Sequence, residues 1–424
     1  MISVKIDTHG CKLNQADSIQ LYKKFIQNGF NVNSNLENPD IYILNSCTVT
    51  HVADKKARKA LRKIKKANPS TLTVLTGCYA ERDKENIIKS KIADLVYGNF
   101  QKEDLIYDIS NQLGYQLPPI DNPIKPGSLL DKTRASIKIQ EGCNQICAYC
   151  IVPKVRGREK SIDKTMIVNE INELHELGYK EIILTGTQLG SYGFDLINEN
   201  LESLIKYIMT ETSIERLRIS SIQAHEISEK LLDIYKKYKN RICNHFHLAL
   251  QSGSNNILKL MRRKYDNDDY LKSVNLIKSK LTNPSISTDV IVGFPGETEK
   301  DFNDTLKIIK FSKFSKIHLF PYSDRPGTSS FYFKNKIKPE IKKERMHIAL
   351  KLSNIEETSY RKNVLNQKRN VLWEKPLNKS TTIFEGYSED YLRIQTESKD
   401  NLYNKITSVI LQESNNDYII AKIL

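Results

Sequence analysis

The chain has 424 residues, of which 39% are hydrophobic and 27% charged, with a formal net charge of +15. That length gives room for about three domains, and the balance excludes a disordered chain; no run nears the ~18 apolar residues a membrane span requires. The basic surplus favours a polyanionic partner, nucleic acid first, with a solubilising surface as the bland alternative.

In chain order, the start "MISVKIDTHGC" carries no leader pattern, which sets the expectation of a cytoplasmic protein without membrane contact. Seven cysteines in a reducing compartment then point to metal or redox chemistry rather than a disulfide framework. Three apolar runs, "VKIDTHGC", "IYILNSC" and "LTVLTGC", read as buried strands. Helical stretches separate them, the first with Tyr22, Phe25 and Ile26 on one face, the second "DKKARKALRKIKK". This alternation predicts a parallel sheet whose strand ends share one edge. Each run ends at a cysteine, so Cys11, Cys47 and Cys78 converge where α/β sheets bind ligands and make a candidate cluster site. Inert packing is the alternative for any one of them.

Residues 114–133, with Pro118, Pro119, Pro123 and Pro126, read as an extended linker between an N-terminal domain at 1–113 and a second unit at 134–362. The second unit repeats strand and helix from "ASIKIQ" through "EIILTG", "ERLRISS", "HFHLALQSG" and "ISTDVIVGFPG" to "KIHLFPYS". Six such strands fit a closed or an open α/β barrel. From 363 to 424 the chain turns to short β-rich segments parted by Asn, Ser and Gly, which suggests a small antiparallel barrel of a kind used to hold oligonucleotides.

Directly after the first strand of the second unit, "EGCNQICAYCIVP" sets Cys143, Cys147 and Cys150 as C-x3-C-x2-C. Barrels place active sites at such strand ends. The loop can wrap three corners of a four-iron cluster and leave the fourth iron open. Zinc is the competing reading; it needs a fourth ligand, and His51 and His175 are far off in sequence.

With Tyr149 just before the last cysteine, this loop resembles the signature of the radical S-adenosylmethionine enzymes. In order, "THGCKLNQADS", "NSCTVTHVADKKARKALRK", "TGCYAER", "LTGTQLGSYG", "LQSGSNNILKLMRRKY", "DVIVGFPGETEKDF" and "FPYSDRPGTSS" resemble the methylthiotransferase family over essentially the whole chain. The resemblance implies a central (β/α)6 partial barrel and a C-terminal RNA-binding TRAM-like barrel. It also implies two 4Fe-4S clusters, with Cys143, Cys147 and Cys150 on the radical cluster and Cys11, Cys47 and Cys78 on an auxiliary one. One S-adenosylmethionine would methylate sulfur at the auxiliary cluster and another would yield the radical that opens an unactivated C–H bond.

Lys12 and Leu13 after the first cysteine look most like the branch acting on threonylcarbamoyladenosine. The implied reaction is methylthiolation of C2 of that nucleoside at position 37, in the anticodon loop of tRNA, with an external electron donor and a sulfur donor. Isopentenyladenosine in tRNA and an aspartate of a ribosomal protein are the sister substrates; a metal-stabilised nucleic-acid-binding protein is the non-enzymatic alternative. Gly186, Thr187, Ser221 and Gln251, small or polar groups at strand ends, are the candidate cofactor contacts. The acid-free basic run from Lys55 to Lys66, with Lys59, Arg62 and Lys63, is either a phosphate-contacting face or a solvated one. His9 and His51 neighbour the auxiliary cysteines, Cys243 reads as a buried hydrophobe, and Trp373 as core packing of the last barrel.

Overall fold

In the computed structural model, which describes residues 1–118, 124, 133–378 and 382–424, three units follow one another along the chain. The first is a five-stranded parallel sheet ordered β2-β1-β3-β4-β5: β1 (Ser3–His9), β2 (Asn31–Val32), β3 (Ile41–Ser46), β4 (Leu72–Gly77) and β5 (Leu95–Tyr97). The expected strands are its three central members. The two short edge strands complete it. Helices α1 (Lys12–Gln27), α2 (His51–Ala67), α3 (Cys78–Lys89) and α4 (Leu105–Gln112) make the crossovers and cover the faces. Helix α2 starts where the Thr50 hydroxyl accepts the Ala53 N–H at 3.2 Å, an N-cap that fixes the chain just past Cys47. Most of the 114–133 linker lies outside the described residues.

In the second unit, strands β6 (Arg134–Lys138), β9 (Glu181–Thr185) and β10 (Arg216–Ile219) form one parallel sheet, and β11 (Ser221–Ile222), β12 (His245–Leu248), β13 (Ser285–Val292) and β14 (Lys316–Pro321) another. The segment read as a single strand, "ERLRISS", divides between the two at Ser220. A bridge between Leu217 and Ile242 joins the sheets, so six successive strand positions curve into a barrel with no β6–β14 pairing. The barrel is therefore open. Between the strands lie the pair β7 (Gln140–Glu141) and β8 (Lys160–Ser161) and the helices α5 (Val152–Arg156), α6 (Lys164–Glu176), α7 (Leu201–Glu211), α8 (Glu229–Lys237), α9 (Asn255–Leu260), α10 (Asn267–Lys280) and α11 (Glu299–Ser312). Alternation sorts the side chains: Phe246, Leu248, Val290 and Val292 join the hydrophobic core, while His245, His247, Ser287 and Asp289 are the polar residues between them.

After α12 (Pro339–Asn363), strands β15 (Lys368–Pro376), β16 (Ile383–Ser388), β17 (Arg393–Glu397), β18 (Ile406–Ser414) and β19 (Ile419–Ile423) close a barrel ordered β15-β16-β17-β19-β18. Trp373 is buried in its core and donates its indole N–H to the Thr407 hydroxyl at 2.7 Å. Among the described residues no helix is long and apolar enough to cross a membrane.

Candidate functional site

The strands β1, β3 and β4 run in register, Thr8 beside Asn45 and Asn45 beside Thr76, so their ends lie level. Cys11, Cys47 and Cys78 follow those ends and line one cavity of about 710 Å³. Gly77 makes the last of these approaches possible: its φ is +94°, and a Cβ there would meet the Ser46 carbonyl oxygen at 2.6 Å. Burial pushes the Cys47 thiol up to about 12 and raises Cys11 as well.

The loop after β7 turns at Gly142, φ +75°, where a Cβ would strike the Arg158 carbonyl oxygen at 1.9 Å. It then carries Cys143, Cys147 and Cys150 inward, held by the Ala148 N–H on the Met261 carbonyl at 3.0 Å. Burial pushes Cys143 up to about 11 and Cys150 to about 12. Neither triad brings its three sulfurs within 4.8 Å of one another, whereas a single ion ligated tetrahedrally by thiolates needs them ~3.8 Å apart. Raised in this way, Cys11, Cys47, Cys143 and Cys150 favour their neutral thiols, and a bound metal would be needed to hold them ionised.

Sequence reasoning missed that each triad has a guanidinium on one sulfur. Arg156 donates its Nε–H to Cys78 at 3.3 Å, and Arg263 donates from Nη1 to Cys147 at 3.4 Å. Donors of this kind stabilise thiolate ligands. Arg156 also anchors the two triads to each other. It ends α5, which begins two residues after Cys150, and it donates to Asp17 at 2.9 Å and Glu141 at 2.7 Å. Asp17 takes two more cations, Lys102 at 2.6 Å and Lys138 at 3.1 Å. Burial alone would raise its carboxyl, but Lys102, Arg156 and Lys138 hold it well below the usual range.

Gly186, Thr187 and Ser221 line the same cavity as the first triad, as do Ile151 and Val152 immediately after Cys150. The Gln140 side chain accepts from the backbone N–H groups of Thr187 and Gln188, each at 2.9 Å, which fixes that strand end. The buried Thr187 hydroxyl has no hydrogen-bond partner among the described residues, a donor left for a polar ligand such as S-adenosylmethionine. Gln251 stands apart from the lining, in a left-handed turn at φ +63° bridged to Val290. His9 and His51 also fall outside the lining, and Cys243 is buried.

His247 and His318 also line the cavity, and Asp289, outside the lining, pairs with His247; sequence reasoning singled out none of the three. His247 Nε2 lies 3.1 Å from Asp289, its Nδ1 lies 3.0 Å from the Ser287 hydroxyl, and His318 completes the cluster. Tyr391 enters from the C-terminal barrel, its phenol accepting from the Lys12 ammonium at 3.1 Å and its ring 4.4 Å from the Arg218 guanidinium. Burial alone would raise the Tyr391 phenol, but Lys12, Arg134 and Arg218 hold it below its ordinary value. On the outside of the first unit, Lys55, Lys56, Lys59, Arg62, Lys63 and Lys66 are exposed along one face of α2, whereas Arg58 folds onto Tyr79 and Lys65 pairs with Asp94.

Comparison with known proteins places residues 137–309 in the radical SAM superfamily and residues 3–98 in a family described as uncharacterized protein family UPF0004. The threonylcarbamoyladenosine tRNA methylthiotransferase MtaB of Bacillus subtilis is 33% identical across 99% of this chain and 95% of its own. The tRNA-2-methylthio-N(6)-dimethylallyladenosine synthase of Clostridium tetani is 36% identical across 80% and 78%. Among solved structures, the radical S-adenosylmethionine methyltransferase TsrM of Kitasatospora setae shares the fold, with a TM-score of 0.52 at 12% identity over 78% of this chain and 77% of that one.

Proposed function

The chain belongs to the tRNA methylthiotransferases of the radical S-adenosylmethionine superfamily, and from that premise we propose that it methylthiolates C2 of N6-threonylcarbamoyladenosine at position 37 of tRNA. The fold implies one 4Fe-4S cluster and S-adenosylmethionine. Cys143, Cys147 and Cys150 would hold that cluster, and Cys11, Cys47 and Cys78 a second one. The observation that carries this reading is the convergence of three strand-end cysteines on a cavity that also takes in Thr187 and Ser221. Lys12 and Leu13 after Cys11 support the threonylcarbamoyl branch.

The bound groups supply the radical that opens an inert C–H bond and the sulfur that replaces the hydrogen, with electrons and sulfur drawn from donors outside the chain. The protein's own residues orient and enclose. Gly186, Thr187 and Ser221 furnish small and polar walls for S-adenosylmethionine, whereas Gln251, the fourth candidate, stands outside the cavity lining. Arg156 and Arg263 steady one thiolate in each triad. The buried Arg156–Asp17 pair ties α5, just past Cys150, to α1, just past Cys11, and would hold the two clusters at one separation. The exposed face of α2, with Lys59, Arg62 and Lys63, contacts tRNA phosphates.

Mass spectrometry of nucleosides from bulk tRNA, in cells with and without the gene, tests the reading. Loss of the methylthio group from threonylcarbamoyladenosine alone is the expected result. Loss from isopentenyladenosine instead moves the enzyme to the sister branch, and no change in either nucleoside points to a ribosomal-protein substrate.

A further inference from the structure

The cavity is lined by several cations, and almost all are already neutralised. Arg156 is held by Asp17 and Glu141, Arg218 by Glu181 at 2.7 Å, Lys316 by Glu357 at 2.7 Å, and Arg393 by Glu385 at 2.7 Å. Arg361 lies 3.9 Å from Glu357. Lys12 differs from these. Its ammonium meets the phenol of Tyr391 at 3.1 Å, and among the described residues no carboxylate lies within ion-pair distance of it.

The surroundings of Lys12 reinforce that surplus of charge. It is the first residue of α1, whose first turn carries no acidic side chain, so the positive end of the helix adds to the ammonium. Across the cavity Tyr391 reaches it from the turn between β16 and β17, at φ +67°, a left-handed conformation that a tyrosine adopts only where the fold enforces it. The Tyr391 ring is itself flanked by Arg218 at 4.4 Å and His245 at 5.1 Å. A half-buried cation whose hydrogen-bond partner is a phenol leaves an incoming anion two donors: the ammonium, and the phenolic O–H while its oxygen accepts from Lys12.

The proposed substrate carries such an anion. Threonine joined through its amine to the carbamoyl carbon keeps a free carboxylate, ionised at neutral pH, whereas an isopentenyl group is uncharged and apolar. We propose that Lys12, with Tyr391 opposite it, forms the subsite for the threonyl carboxylate and thereby sets the preference for a threonylcarbamoyl over an isopentenyl side chain. This inference rests on the substrate reading above and adds to it the residues that discriminate. Lys12 follows Cys11 directly, so the recognition of the side chain is built into the wall that also carries an auxiliary sulfur.

The test compares two anticodon stem-loop RNAs, one bearing threonylcarbamoyladenosine and one in which that carboxylate is converted to the carboxamide, with an isopentenyladenosine RNA as a third, reference substrate. The iron-loaded enzyme is assayed for methylthiolation, and RNA affinity is read separately by fluorescence anisotropy. Wild type is expected to favour the acid by about tenfold or more, the span of a hydrogen bond to a charged group. Lys12→Met is expected to lose that preference by weakening the acid RNA alone, with iron content unchanged. Lys12→Arg should keep most of it, and Tyr391→Phe, which retains the ring, should reduce it in part. A preference that survives in Lys12→Met overturns the inference, and so does an equal loss on both RNAs, which assigns Lys12 to a backbone phosphate or to the support of the cluster. Wild type that acts on both threonylcarbamoyl RNAs without preference overturns this inference alone. Wild type that acts on neither but accepts the isopentenyl RNA overturns the substrate reading itself and this inference with it.

Discussion

Glu181 is 0% exposed, with Arg218 donating Nε–H to one carboxylate oxygen at 2.7 Å and Arg216 to the other at 3.2 Å. Burial alone would raise its carboxyl, but Arg218, Arg216 and Arg134 hold it at about 2, against 4.5 in an unperturbed chain. A carboxyl depressed in the folded state contributes stability that is complete above the unfolded value and disappears as pH falls through the folded one. The ion cluster therefore adds about 3 kcal/mol that is lost between pH ~4.5 and ~2. In urea titrations across that window the wild type should weaken steeply. Glu181→Gln should be flatter there, yet less stable at pH 7 by about 3–5 kcal/mol, because its arginines are left without a counter-charge. The cysteines yield a second prediction at this scale. Replacing Cys11, Cys47 and Cys78 by alanine should lower bound iron from about eight to about four atoms per chain, and replacing Cys143, Cys147 and Cys150 should do the same while also abolishing reductive cleavage of S-adenosylmethionine. Iron content that stays unchanged after the first replacement would remove the auxiliary cluster from the account.

Helix α2 shows at the next scale how a repeat in sequence becomes a surface. Its apolar Ala57 and Leu61 are buried, and the spacing of three and four residues then forces Lys59, Arg62 and Lys63 outward. Reversing those three charges should raise the KM for tRNA several-fold and flatten its salt dependence, with the melting temperature unchanged; a KM that does not move leaves α2 as a solvated face. The strands that carry cysteines were legible for a related reason: each is a short apolar run ending in a polar, cysteine-bearing turn, and buried parallel strands read that way. Strands β2 and β5, of two and three residues, are too short to leave a pattern. The break of "ERLRISS" into β10 and β11 was illegible because the residues on both sides keep strand character, and only the curvature of the barrel decides where pairing changes partner. His247, Asp289 and His318 did leave a signal, a polar residue at an inward position of "HFHLA", "STDVI" and "KIHLF", but period two is ordinary in a strand until the fold shows which face looks into a cavity. Lys12 was legible as a mark of one branch; its contact with Tyr391 was not, since that partner belongs to the C-terminal barrel, far along the chain.

The three units of the molecule are joined by buried charge rather than by apolar surface alone, and this decides what removing one of them does. The barrel opening between β6 and β14 leaves an edge that α1 covers on the β6 side, tied by Asp17 to Lys138 and by Lys23 to Glu173 at 2.5 Å. The strand ends opposite the cysteine loops are covered by the C-terminal barrel. Arg216 donates to the carbonyls of Asn370 at 2.8 Å and Tyr387 at 3.1 Å, and Arg218 to those of Glu389 at 3.1 Å and Ser388 at 3.2 Å. Arg134 adds an ion pair to Glu374 at 2.8 Å and lies 4.3 Å from the Tyr387 ring. A chain ending at Asn363 lacks those carbonyl and carboxylate acceptors, which leaves Arg216 and Arg218 with Glu181 and uncovers a group that the intact protein buries. Two consequences follow from that exposure. If the barrel were only a handle for RNA, the truncated chain would keep its melting temperature and its iron and lose affinity for tRNA alone. Because the barrel also stoppers the central unit, truncation should lower the melting temperature as well, and Arg218→Met in the full-length chain should reproduce much of that loss while leaving the exposed basic face of α2 untouched. Differential scanning calorimetry of the two variants, set beside their tRNA affinities, separates a detachable RNA-binding module from a structural part of the active cavity.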